Sequence, residues 1–205
     1  MEYHYEERFL IGYGEVDEHN RMRISSLLNF LQDVATMHSK SIGYGTTECM
    51  KLKIGWFLLS WQIKMYSYPQ GDTMIKVRTW SRKFKGCHAF RAFEVIDEND
   101  NLVARVDSMW ALVNLETGRP IRIYDDMAEK YGQIDKCFFE EEKVKIDLTD
   151  EISDEIKLTV QRRDIDTNKH CNNTKYIEFV IEAIPEDIYD NNSISELEII
   201  YKKSV

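Results

Sequence analysis

Residues 24–41, ISSLLNFLQDVATMHSKS, decide the fold. Apolar side chains recur at Ile24, Leu27, Leu28, Leu31, Val34 and Ala35, and His38 continues the same face. Steps of three and four residues are the helical period, so the stretch predicts one amphipathic helix. Gly43 and Gly45 follow it, and glycine readily closes a helix because it accepts the left-handed backbone. A stripe this wide needs an apolar surface to cover it.

The cover comes next in the chain. Residues 55–66 (GWFLLSWQIKMY) predict a buried strand, and 73–80 (TMIKVRTW) an alternating one, with Ile75, Val77 and Thr79 opposite Met74, Lys76 and Arg78. Two more strands are predicted over 87–96 (CHAFRAFEVI) and 102–115 (LVARVDSMWALVNL), bounded by turns rich in Asp, Asn and Gly. Ahead of the helix, Phe9, Ile11 and Tyr13 alternate, which predicts a first strand over residues 7–14 before the polar turn Glu15 to Asn20. A long helix followed by long antiparallel strands able to curl around it is an α+β arrangement, the plan of a hot-dog fold.

Residues 121–157 break this pattern. Asp125, Asp126, Glu129 and Asp135 lead into Glu140-Glu141-Glu142 and a further acidic run. Such runs are ordinarily solvated, so the segment reads as a connector with a short helix from Asp125 to Tyr131.

Beyond it the chain repeats itself. At an offset of 149 residues Asp17 falls on Asp166, Leu27 on Tyr176, Leu28 on Ile177, Phe30 on Phe179 and Leu31 on Val180. Both segments predict a strand, a polar turn and a helix, the second helix running from Asn172 to Ala183 ahead of Pro185. The expected division is an amino-terminal unit over 1–125, an acidic linker over 126–157 and a second unit over 158–205. Only one further strand, 196–203 (ELEIIYKK), follows the second helix. On the plan of the first copy the second unit is therefore expected to be cut short by roughly 50–60 residues. An open strand edge would result, and a homodimer is one way to cover it.

Composition excludes several classes of function. A formal charge of -9 argues against nonspecific nucleic-acid binding, which needs a basic footprint. No stretch approaches the roughly 18 apolar residues of a membrane span. The start MEYHYEERFL lacks a basic segment leading into an apolar run, so a cytoplasmic chain is expected. The four cysteines are widely spaced with no paired motif. Reduced thiols are expected rather than a zinc site.

The segment with chemical potential is Arg162 to Tyr176, RRDIDTNKHCNNTKY. It sets a carboxylate, an amide and an imidazole at alternate positions, Asp166, Asn168 and His170, just ahead of a helix. Unpaired N–H groups at a helix start can polarise a carbonyl, and an imidazole or carboxylate can activate water. Asp and Asn are also ordinary caps and turn formers, and that plainer role stays open. No GxSxG elbow offers a rival nucleophile. The first copy carries Asp17, His19 and Arg21 at these positions, so any chemistry is expected in the second copy alone.

The stretch DIDTNKHCNNTKYIEFVIEAIP resembles the acyl-acyl-carrier-protein thioesterases of plants and bacteria, as do GEVDEHNRMRISSLLNFLQDVATMHSKSIGYG and WALVNLETGRPIR in the first copy. The resemblance implies a tandem hot-dog fold and a thioester hydrolase that releases free fatty acids from acyl carrier protein, with no metal and no organic cofactor. It implies that Asp166, Asn168 and His170 are catalytic, the amide and imidazole positioning and polarising the thioester and the carboxylate supporting them or acting directly. The family's further acidic position would fall at Ser204, in Tyr201-Lys202-Lys203-Ser204-Val205. A serine is no carboxylate base, which keeps a noncatalytic acyl-binding protein open as an alternative, beside an acyl-coenzyme A thioesterase. The acyl tail would lie between helix and sheet, lined by Trp56, Trp61, Phe90 and Trp110. An acidic carrier protein would dock on basic residues, for which Arg78, Arg82, Lys83, Lys85 and Arg91 are the expected set.

Overall fold

The computed structural model describes residues 5–140, 146, 155–166 and 170–202. Strand β1 (Tyr5–Leu10) precedes helix α1 (Ile24–Ser41) and the short α2 (Thr46–Lys51). Strands β2 (Ile54–Met65), β3 (Met74–Lys85), β4 (His88–Asp97) and β5 (Leu102–Asn114) follow, then the two-residue β6 (Arg119–Pro120) and α3 (Asp125–Tyr131). The second unit contributes α4 (Asn173–Glu182), α5 (Glu186–Asn191) and β7 (Glu196–Ile200).

All strand pairings are antiparallel, and the sheet runs β1-β3-β4-β5-β2-β7. Bulges break the register between Leu58 and Ser60 and between Ser81 and Lys83. An extra residue on one strand bends it and sharpens its twist, which is how the sheet curls. The helix lies in the resulting trough. Leu27, Leu28, Leu31 and Val34 of α1 are fully buried against Trp61, Ile63, Ile75, Val77, Phe93, Val95 and Val106 of the sheet. This is the hot-dog arrangement expected from the helical stripe and the strands after it.

The first strand stops earlier than its alternation suggests. Ile11 is buried and still bonds to the loop at Thr73 and Asp72. Past it the chain turns into a 3-10 segment, Tyr13–Glu15, which leaves Tyr13 95% exposed. Strand β3 continues five residues beyond Trp80, and α5 has no counterpart in the sequence reading.

The segment read as linker begins as part of the first unit. Met127 and Tyr131 of α3 are buried in a second apolar cluster with Ile54, Leu112 and Ile123. The chain then lies across the outer face of the sheet. Ile134 N–H donates to the Ser81 carbonyl at 2.9 Å, Trp80 Nε1–H to the Lys136 carbonyl at 2.9 Å, and the N–H groups of Phe138 and Phe139 to Asp107 Oδ2 at 3.0 and 3.2 Å.

The two units share one sheet and one core. Strand β7 pairs with β2 from Ser60 opposite Ile200 to Lys64 opposite Glu196. Helix α4 packs against α1, and its Ile177, 2% exposed, belongs to the main core. The predicted apolar face of α4 is only partly covered, with Val180 55% exposed. No helix among the described residues is long and apolar enough to cross a membrane.

Candidate active site

Among the described residues, the turn ahead of α4 repeats the main hydrogen bonds of the turn ahead of α1. The 3-10 segments Tyr13–Glu15 and Arg162–Asp164 stand at the same offset, as do the isolated bridges Val16 to Met22 and Ile165 to Cys171. Asp17 N–H donates to the Arg21 carbonyl at 2.8 Å, and Asp166 N–H to the His170 carbonyl at 2.8 Å. Arg23 N–H reaches the Glu15 carbonyl at 2.8 Å, and Asn172 N–H the Asp164 carbonyl at 2.7 Å. A local chain path repeated this closely needs the same bonding at each position, and Asp supplies it in both copies through its carboxylate.

In the second copy Asp166 Oδ1 accepts from the His170 N–H at 3.1 Å. The half-buried His170 is thereby fixed at the mouth of α4. Asp164, 5% exposed, accepts the Gln161 N–H at 2.7 Å and completes a reciprocal capping box with Gln161. Asn172 caps α4, its Oδ1 accepting from Thr174 N–H at 3.0 Å and from Thr174 Oγ1 at 3.1 Å. Tyr201, just past β7, donates its hydroxyl to the Asn173 carbonyl at 3.0 Å while its own N–H bonds the Leu59 carbonyl at 2.9 Å. The start of α4 is thus pinned to the bulge of β2. Burial, with help from the neighbouring Tyr176, pushes the Tyr201 phenol well above its ordinary range.

Cys171 is 3% exposed, and burial followed by the charges of Asp164 and Asp166 pushes its thiol up. A thiol held protonated attacks poorly. Asn168 and Ser204 lie outside the described residues, so the structure brings together Asp166 and His170 of the expected catalytic set.

Three of the four aromatic residues expected along an acyl tail meet in one place. Trp56, Phe90 and Trp110 line a cavity of about 60 Å³ under the second half of α1, together with Phe84, Arg91 and Tyr131. Trp61 does not line it. It is fully buried in the main core, its ring 5.6 Å from Phe93 and 6.0 Å from Trp110. A volume near that of two water molecules is well short of the several hundred Å³ of a ligand pocket, so an acyl tail requires these aromatic walls to part. A larger groove, about 1020 Å³, opens between the turn at Asp17 and helices α4 and α5. Its lining mixes Ile181, Ile188 and Ile194 with Arg21, Lys175 and Glu182, which suits solvent better than a dry hydrocarbon.

The expected docking set divides. Arg82 and Arg91 are 4% and 7% exposed and are withdrawn from any surface patch. Arg82 sits at the β3 bulge on the outer face, under the segment that crosses it, with its Nη1 3.5 Å from Asp107 Oδ2. Arg91 shares the inner side of β4 with Phe93 and Val95 and points beneath α1, where its Nη1 donates to His38 Nδ1 and to Thr79 Oγ1, each at 3.0 Å. Alternation predicts these positions only once the bulge and the covering segment are known. Arg78 Nε pairs with Glu6 at 2.6 Å. Lys83 is half-buried with its ammonium 5.1 Å from the Phe90 ring, and Lys85 is exposed at the β3–β4 turn.

A curled sheet around one helix, extended by a second unit whose helix is preceded by an acid and an imidazole, defines a tandem hot-dog protein. The profile of the acyl-ACP thioesterase N-terminal domain matches residues 2–131, and that of the C-terminal domain matches 148–205; the chain belongs to the acyl-ACP thioesterase family. It is 26% identical over 216 residues to the chloroplastic oleoyl-acyl carrier protein thioesterase 1 of Arabidopsis thaliana, covering 97% of this chain and 60% of that one. Among solved structures, an acyl-ACP thioesterase from Bacteroides thetaiotaomicron superposes with a TM-score of 0.87 at 25% identity over 98% of this chain and 81% of that one. The 12:0-ACP thioesterase from Umbellularia californica superposes with a TM-score of 0.83 at 28% identity over 98% and 82%. The chain spans about 60% of the length of the curated relatives first matched.

Proposed function

We propose that this chain hydrolyses acyl-acyl-carrier-protein thioesters in the cytoplasm and releases free fatty acids. The observation that carries the proposal is the turn at Asp166 and His170, tied by its own hydrogen bonds ahead of a capped helix in a member of this family.

The chemistry combines the groups at the start of α4 with the role that the family resemblance implies for Asn168. Thr174 N–H is already engaged by the Asn172 cap. The Asn173 N–H and the Asn168 side-chain amide are the donors assigned to the thioester oxygen, where negative charge develops as water adds. His170 takes the proton from that water and returns it to the departing carrier thiol. Asp166 acts through the turn, holding the His170 backbone in place. The acyl tail runs from the start of α4 toward Trp56, Phe90 and Trp110. Supporting this path, Tyr201 bonds both Asn173 and Leu59, and Trp110 lies opposite Leu58 in the β2–β5 ladder.

The test is release of free thiol from dodecanoyl- and oleoyl-carrier protein by the purified chain, with the coenzyme A thioesters in parallel. Turnover of the carrier-bound substrates well above the coenzyme A thioesters supports the reading. Binding of both acyl-carrier proteins with no thiol released identifies a noncatalytic acyl-binding protein instead.

A further inference from the structure

The cavity under α1 contains a cation with no counter-charge among the described residues. Arg91 is 7% exposed and forms no ion pair with a carboxylate among the described residues. Both of its side-chain hydrogen bonds leave from Nη1, to His38 and Thr79, and its guanidinium lies 5.6 Å from the centre of the Tyr131 ring. The Nε and Nη2 donors have no partner among the described residues, and Arg91 lines the cavity. Burial draws the guanidinium down to about 10, which still leaves it charged at neutral pH. A buried cation held only by neutral groups keeps much of its desolvation cost, so a ligand that supplies a negative charge gains strongly. A methyl group pressed against the guanidinium would strip its remaining water and return nothing.

Ala35, Trp56, Phe84, Ala89, Phe90 and Trp110 make most of the remaining lining, with the hydroxyl groups of Thr36, Ser39, Ser81 and Tyr131 between them and no second charge. A volume of about 60 Å³ admits a carboxylate group, and the tail behind it requires the aromatic walls to part, as an acyl tail does. A single buried cation among mainly aromatic and aliphatic side chains matches an aliphatic carboxylate bound by its head group.

The geometry points to a site for a free aliphatic carboxylate, its head group held by Arg91 and its tail lying against Trp56, Phe90 and Trp110. The released fatty acid then re-enters in the opposite sense to the acyl tail and excludes the next one. That competition rests on the hydrolase reading above; binding of the carboxylate does not.

Two tryptophans in the lining make binding visible by intrinsic fluorescence. The purified full chain is titrated with octanoate, 1-octanol and octanamide. Octanoate is expected to bind at least ten-fold more tightly than either neutral analogue. Arg91→Gln is expected to weaken octanoate by roughly ten- to a hundred-fold with little change for octanol, and Arg91→Lys to recover part of the loss. Equal affinity of wild type for octanoate and octanol overturns the proposal, as does an octanoate affinity unmoved in folded R91Q. Should circular dichroism show either variant unfolded, the wild-type comparison decides alone. Octanoate is also expected to inhibit hydrolysis of dodecanoyl-carrier protein competitively. Octanoate binding by a chain that hydrolyses nothing sinks the hydrolase reading and leaves the carboxylate site standing.

Discussion

Asp166 and His170 hold one another through two hydrogen bonds, Asp166 N–H to the His170 carbonyl at 2.8 Å and His170 N–H to Asp166 Oδ1 at 3.1 Å. The first copy makes the same pair between Asp17 and Arg21 at 2.8 and 2.9 Å, but there the guanidinium Nε folds back on Asp17 Oδ2 at 3.1 Å. The backbone is shared and the side chain differs, which separates the part of the turn that builds structure from the part that can do chemistry. His170→Ala is expected to lower kcat by about 10²–10⁴-fold, as removal of a general base does, with the melting temperature nearly unchanged. Asp166→Ala is expected to lower both, because it releases the turn. Thiol-release kinetics and thermal unfolding measure the two effects. An H170A variant within three-fold of wild-type turnover refutes the assignment.

The helix and its cover were legible because burial on one face imposes a period. Every apolar position named on the α1 stripe is buried, from Ile24 to Ala35, and so is His38. The repeat was legible for a related reason, since Asp17 and Asp166 do the same work in the backbone. The sites of Arg82 and Arg91 were not. A local pattern marks Arg as exposed, and only the distant residues 134–139 and the facing helix put these two inside. Trp61 illustrates the same limit, because an aromatic residue in a strand reads alike whether it meets a cavity or solid core.

Asp17 ties acid stability to the first turn. Burial pushes its carboxyl up, but the Arg21 N–H, the Arg21 charge and side chain, and the His19 N–H together outweigh that and hold it below the ordinary carboxylate range. A carboxylate whose folded value is lowered stabilises the protein above its unfolded value of about 3.9, and that contribution is lost as pH falls through the folded value. Thermal unfolding between pH 5 and pH 2.5 is expected to show a decline in wild type that is shallower in Asp17→Asn. Parallel curves for the two proteins would remove Asp17 from the account.

The Arg82–Asp107 pair fastens the segment after α3 to the outer face of the sheet. Both side chains are about 5% exposed, and Asp107 also receives the Phe138 and Phe139 N–H groups. Removing one partner leaves the other charge buried and uncompensated, at a cost of about 3–5 kcal/mol. Asp107→Ala is expected to lose that much in urea unfolding, while the double variant R82M/D107L loses less because neither charge remains. A D107A variant within about 1 kcal/mol of wild type, the range of an ordinary surface change, contradicts this account.

With Arg82 and Arg91 buried and Arg78 drawn to Glu6, the part of the expected basic set nearest solvent at the β3–β4 turn is the half-buried Lys83 and the exposed Lys85. Two cations on a chain of net charge -9 are a local attraction against a repelling background, so their effect should be short-ranged and sensitive to salt. Charge reversal of both, K83E/K85E, is expected to raise KM for an acidic acyl-carrier protein by roughly ten-fold at low ionic strength, where surface charge governs encounter, with kcat little changed. The difference is expected to shrink as salt is added, and KM for the corresponding coenzyme A thioester to move much less. Steady-state kinetics at two salt concentrations measure all three. An unaltered KM for the carrier substrate at low salt places the carrier protein on another face of the molecule.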